Sequence, residues 1–168
     1  MGNIGIPQGS IFPSSCWSTL DLPENARYIC SGMDFGESNP TTLIDLYQFD
    51  GYDIYDEIHY EAGLSFNKIM ASIRSNGIRR MVVADPSHET MIKQLGNSGA
   101  QIMGVKKFRG SVDGGLALMK EKPFYVTKRS INLIKELRNY VYERTRSGIL
   151  LDTPRKYMDH AIDASRYA

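Results

Sequence analysis

The dipeptide Asp50-Gly51 sets the strongest local constraint on how this chain can fold. It stands between residues 41–49, rich in β-branched and aromatic side chains, and residues 52–60, which alternate apolar and polar. The favoured two-residue hairpin turn needs positive φ at both central positions, and Asp-Gly tolerates this better than most pairs. Residues 28–36 form a third strand-like run, ending in a glycine turn, just before the other two. Three successive strands with short turns make an antiparallel meander.

Beyond the meander the period changes. Ser65 is a plausible N-cap, Phe66, Ile69, Met70 and Ile73 form one apolar stripe, and Asn76-Gly77 stops the helix predicted over 65–75. Residues 80–85 and 100–105 are short apolar runs of the kind that fill buried strands. Helices are expected over 89–95, 111–121 and 130–138, the last with Ile131, Ile134 and Leu137 on one face, and a strand over 123–127. Residues 140–142 and 149–151 flank Thr145-Arg-Ser-Gly148 and read as a second hairpin, with Tyr140 and Tyr142 expected to pack on the sheet. Pro154 then breaks the chain before a last helix over 157–168. The expected architecture is α/β: three antiparallel strands followed by parallel strands in one mixed sheet, helices on both faces, and a β-hairpin near the C-terminus. Residues 1–26, rich in Gly, Pro and Ser without periodicity, read as an arm or linker before a domain spanning 27–168.

At 168 residues the chain suits one domain with one sizeable core. No apolar run approaches the roughly 20 residues needed to span a bilayer, and the first residues lack the pattern of a signal peptide. Cys16 and Cys30 form neither a CxxC pair nor a disulfide framework and fit free thiols in an intracellular protein. The small net charge conceals an asymmetry. Residues 1–105 carry 6 Lys or Arg against 12 Asp or Glu, whereas residues 106–156 carry 13 against 5. An acidic half that holds metal and a basic half that holds phosphate would suit a nucleic-acid enzyme; a dipolar surface without function is the plainer alternative.

Chemistry concentrates at three places. Asp34 ends the first predicted strand, and Asp85 ends the fourth. In open α/β sheets functional groups gather at such strand ends, near topological switch points. The closing helix places Asp159, His160 and Asp163 within about one turn of each other, so it can bring Asp163 and His160 over the two strand tips. Three converging carboxylates repel one another, and a divalent cation resolves the repulsion. Hard oxygen donors favour Mg2+ or Mn2+, and two such ions can activate a water and stabilise the leaving oxygen of a phosphodiester. Taken singly, Asp34 and Asp85 also fit turn residues, and His160 fits a helix-face histidine.

The ordered set Gly32-Met-Asp-Phe-Gly36, Asn39-Pro-Thr-Thr42, Val83-Ala-Asp-Pro-Ser87 and Asp159-His-Ala-Ile-Asp-Ala-Ser-Arg-Tyr167 resembles the nuclease domain of tailed-phage terminase large subunits. Gly9-Ser-Ile-Phe12 and Glu136-Leu-Arg-Asn-Tyr140 fit the same resemblance. It implies a ribonuclease H-like fold and metal-dependent endonuclease activity on double-stranded, concatemeric viral DNA during genome packaging. Asp34, Asp85 and Asp163 would be the metal-binding acids, with two Mg2+ or Mn2+ ions, and His160 a ligand or proton-transfer residue. Arg166 and Tyr167 would anchor the helix to the sheet. Many relatives carry an acid shortly after the second aspartate; here the stretch reads Asp85-Pro-Ser-His-Glu89, which leaves the roles of His88 and Glu89 open, with Glu57 and Glu61, near the end of the third strand, as alternative fourth acids or, more simply, surface residues. The implied partners are an ATPase motor domain of the same protein, the portal and the small terminase subunit. The implied setting is the host cytoplasm, away from membranes. The chain carries no G-x-x-x-x-G-K-[ST] phosphate loop and is not expected to hydrolyse ATP alone.

Phosphate contacts require Lys and Arg along the DNA backbone. Candidates are Lys106, Lys107, Arg109, Lys128, Arg129, Arg144 and Arg146. Competing readings are another ribonuclease H-like nuclease, of junction resolvase or integrase type, and a catalytically silent DNA-binding or docking domain of the packaging motor.

Overall fold

A computed structural model describes residues 8–63, 65–106 and 109–168. The meander is β2 (Arg27–Asp34), β3 (Pro40–Phe49) and β4 (Tyr52–Ala62), all antiparallel. Asp50 and Gly51 have φ of 48° and 81°, the double positive φ that their turn demands. Strand–helix alternation follows: α1 (Phe66–Ile73), β5 (Met81–Ala84), α2 (Glu89–Asn97), β6 (Gln101–Gly104), α3 (Ser111–Met119), β7 (Phe124–Thr127) and α4 (Ile131–Asn139). A separate hairpin, β8 (Tyr142–Arg144) with β9 (Leu150–Pro154), precedes α5 (His160–Tyr167).

The sheet has one strand that the sequence did not announce. β1 (Trp17–Leu20) pairs in parallel with β7, giving the order β1-β7-β4-β3-β2-β5-β6. The described part of the expected arm therefore lies against the rest of the chain. Ile11 and Phe12 are buried, and Phe12 packs edge-on to Phe124 and stacks on Tyr140. Four residues without alternation give no local strand signal; pairing with β7 and burial of the preceding apolar pair decide the outcome.

Two hydrophobic clusters lie on opposite faces of the sheet. On one, α1 and α2 bring Ile69, Met70, Ile73 and Leu95 against Met33, Leu43, Val82 and Ala84. On the other, α3, α4 and α5 bring Leu116, Met119, Leu133, Leu137 and Ile162 against Ile44, Tyr55, Phe124 and Val126. Each such fully buried aliphatic side chain contributes about 1.5–3 kcal/mol. One expected face is corrected. Ile131 is exposed, while Leu133, Glu136 and Leu137 are the buried positions of α4. The helix is rotated so that an acid, Glu136, points inward.

The sheet also buries charge. Arg80 and Asp45 are both enclosed, with Arg80 Nε donating to Asp45 at 2.9 and 3.1 Å and Nη2 at 2.8 Å. Arg80 Nη1 donates to the carbonyls of Ile73 and Ser75, so the guanidinium ties β3 to the end of α1. Among the described residues, no helix is long and apolar enough to cross a membrane.

Candidate active site

β2 and β5 are parallel neighbours, with Met33 level with Ala84. Asp34 and Asp85 therefore emerge from adjacent strand ends, and the Asp85 amide donates to the Met33 carbonyl at 3.0 Å. Helix α5 lies across β2 and β3. Gly32 makes this approach possible: a Cβ there would overlap the Ala164 carbonyl oxygen. Thr42 of β3 donates its hydroxyl to the His160 carbonyl at 2.9 Å, and the Cys30 thiol donates to the Ala168 carbonyl at 2.8 Å. α5 is thus fixed at both ends.

This packing brings together the acids expected from sequence. Asp34 Oδ2 lies 3.2 Å from His160 Nδ1. Burial pushes the Asp34 carboxyl up and His160 opposes the shift, while Asp163 and Asp85 push it further up. The bond to Asp34 raises the imidazole of His160 despite its partial burial. Asp85 accepts the Ser87 amide at 2.8 Å and the Tyr167 hydroxyl at 3.1 Å. Asp163 accepts from Arg166 Nε at 3.1 Å and Nη2 at 2.7 Å. Asp159 also belongs here: burial raises its carboxyl, as does Asp163 beside it. From sequence Asp159 reads as a bystander; it stands at the N-cap of α5, just outside the helix.

The Tyr167 hydroxyl ties α5 to Asp85 at the end of β5, whereas Arg166 holds Asp163 within α5 itself. In this conformation each acid engages a side chain or amide of the protein, and among the described residues no three His, Cys, Asp or Glu side chains are arranged to grip one ion. The donor chemistry nevertheless fits a hard divalent cation: carboxylates come from two strand tips and one helix, and the charges of Asp163 and Asp85 raise the Asp34 carboxyl.

The remaining acids and histidines lie elsewhere. Glu57 accepts the Leu133 amide and the Asn132 side chain at the start of α4. Glu61 pairs with Lys68 on the surface, and Glu89 with Lys93. His88 stands against the Phe35 ring, with Nδ1 3.0 Å from Ser87 Oγ and Nε2 3.8 Å from Glu37.

Of the basic candidates, Lys106, Arg109 and Arg146 are exposed, and Lys107 lies outside the described residues. Lys128 is paired with Asp21 and Arg129 with the buried Asp56. Arg144 donates to the Gly148 and Gln8 carbonyls within and beside the hairpin. Tyr140 is buried, as expected, and Tyr142 packs against the same core.

No family model and no curated protein matches the chain by sequence. Solved structures do match. The large terminase nuclease domain of bacteriophage SPP1, crystallised with bound Mn, superposes with a TM-score of 0.78 at 22% identity, over 94% of this chain and 97% of that one. The chain has the fold of a large terminase nuclease domain. The thermophilic phage G20c terminase nuclease with bound cobalt matches at a TM-score of 0.69 and 22% identity, over 95% and 96% of the two chains. A longer large terminase, from another thermophilic bacteriophage, matches at 0.74 and 20% identity over 95% of this chain, which spans 44% of that protein. The terminase-nuclease fold is the ribonuclease H-like mixed sheet that the motifs implied, with β2-β3-β4 antiparallel and a hairpin ahead of the last helix.

Proposed function

We propose that the chain is a divalent-metal-dependent endonuclease that cuts double-stranded viral DNA during genome packaging. The observation that supports this reading is that Asp34 and Asp85 leave the adjacent ends of β2 and β5 beneath α5, near enough to Asp163 for its charge to raise the Asp34 carboxyl. Asp34, Asp85 and Asp163 would hold Mg2+ or Mn2+, two ions in the full site. When bound, such ions polarise the scissile phosphate and the attacking water. His160, whose proton affinity is raised by Asp34, holds a proton near the reacting phosphate and can deliver it to a leaving oxygen. Arg166 neutralises and orients Asp163, and the Tyr167 hydroxyl orients Asp85.

Duplex DNA would be held through its phosphates by Lys106, Lys107, Arg109, Arg144 and Arg146, with Lys128 and Arg129 contributing only after release from Asp21 and Asp56. The ATPase motor of a longer terminase, the portal and the small subunit are the proposed partners, and the host cytoplasm the proposed setting.

Incubation of the protein with supercoiled plasmid and Mn2+ or Mg2+ tests the reading. Nicked and linear products are expected, lost in Asp34→Ala and in Asp163→Ala. Undiminished cutting by both variants would overturn the site. Cutting of branched DNA with no action on linear duplex would replace the packaging role by a junction-resolving one. Absence of both cutting and divalent-metal binding in calorimetry would leave a docking domain.

A further inference from the structure

Helix α5 has no cap of its own. Its N-cap residue, Asp159, makes no side-chain hydrogen bond to the first turn. The amides of Ala161 and Ile162 donate instead to Glu136 Oε2, at 2.8 and 3.0 Å. The other carboxyl oxygen, Oε1, accepts the Tyr60 hydroxyl at 2.9 Å. Glu136 comes from α4, and only 1% of it is exposed. A buried acid without a basic partner is costly unless every lone pair finds a donor. Here two open amides and the positive end of a helix supply that compensation.

The two capped amides have functional neighbours. His160 directly precedes Ala161, and Asp163 directly follows Ile162. Glu136 therefore grips the backbone between the two candidate site residues of α5. Thr42 and Gly32 fix the same helix against the sheet, but neither bonds to these amides. We propose that Glu136 is a positioning residue, which caps α5 from α4 and so sets where His160 and Asp163 stand over Asp34. This rests on the endonuclease reading for its effect on rate, and on the geometry alone for its effect on the helix.

Three variants test it. Glu136→Ala removes the cap. Glu136→Gln keeps one oxygen for the amides and lets its NH2 group donate to the Tyr60 oxygen. Leu137→Ala, one residue on and fully buried, destabilises α4 without touching the cap. In Glu136→Ala, hydrogen exchange at Ala161 and Ile162 accelerates, and the His160 imidazole nitrogen resonances shift. The rate at saturating DNA falls by about 100-fold, as a displacement near 1 Å implies, with KM unchanged. Glu136→Gln stays within about threefold of wild type, because its hydrogen bonds are conserved. Leu137→Ala leaves the two amides and His160 as they are. If Glu136→Ala does not fold, Tyr60→Phe gives the same changes in smaller measure, about threefold in rate.

Unchanged exchange at Ala161 and Ile162 in Glu136→Ala, or in Tyr60→Phe where Glu136→Ala does not fold, overturns the proposal, as does an equal loss of rate and of His160 signal in Leu137→Ala. If the wild type cuts no DNA, the endonuclease reading fails, and amide exchange with the His160 resonances still decides the positioning role.

Discussion

Replacing Gly32 by alanine should displace α5 and silence the site without touching any candidate ligand. A Cβ at position 32 would lie 2.7 Å from the Ala168 amide nitrogen and 2.9 Å from the Ala164 carbonyl carbon, and would overlap the Ala164 carbonyl oxygen. Ordinary contacts to carbon begin near about 3.5 Å, so the helix must rise by about 1 Å. All the atoms met are backbone, and no side chain can swing away to relieve the clash. Overpacking of this kind costs about 1–3 kcal/mol. For a chain of this size, the midpoint of thermal unfolding should fall by about 3–10 °C. The displacement also separates His160 and Asp163 from Asp34, and a shift of about 1 Å lowers the rate about 100-fold. Calorimetric melting and single-turnover plasmid cleavage on the same preparation check both numbers. A Gly32→Ala protein that melts within a degree of wild type and cuts at the wild-type rate would refute the argument that close approach of α5 builds the site.

Arg80→Ala should cost about 3–5 kcal/mol in urea unfolding, because Asp45 would remain buried without its guanidinium. Stability should also fall as pH rises. Burial pushes Glu136 up to about 7, so the folded chain keeps a proton there that the unfolded chain has lost. That contribution is complete below about pH 4.5 and gone above pH 7, a change of about 3 kcal/mol. Tyr60, Tyr140 and His160 face this carboxyl, and the raised His160 and Asp159 add in the same direction. Denaturant midpoints between pH 4.5 and 7 should therefore be flatter in Glu136→Gln than in wild type. Arg146→Ala should weaken duplex binding for every sequence and reduce the magnitude of the log-affinity against log-salt slope by about one, measured by fluorescence anisotropy.

The meander was readable because its signals are local: alternation on both sides of Asp50-Gly51, and a turn whose φ values the residues themselves prefer. The strand tips were readable for a topological reason, since Asp34 and Asp85 follow runs that had to be neighbours. β1 was not readable, because its pairing with β7 is decided more than a hundred residues away. The face of α4 was misjudged for a related reason. Ile131, Ile134 and Leu137 fit an apolar stripe, but the capping of α5 draws Glu136 inward and rotates Ile131 into solvent. An acid beside Leu133 and Leu137 was the clue available. Similarly, Lys128 and Arg129 looked free until the fold set Asp21 and Asp56 beside them.

The contacts that draw the candidate site together span 126 residues from Asp34 to His160 and 82 from Asp85 to Tyr167. Loops of that length close late, because their entropy is lost before any contact rewards it. Partly folded chains, including any with a finished meander, should therefore be inert. Recovery of the proposed activity during refolding should coincide with the last, global phase, which makes this site a reporter of completed topology and gives the chain a built-in delay before the site is assembled.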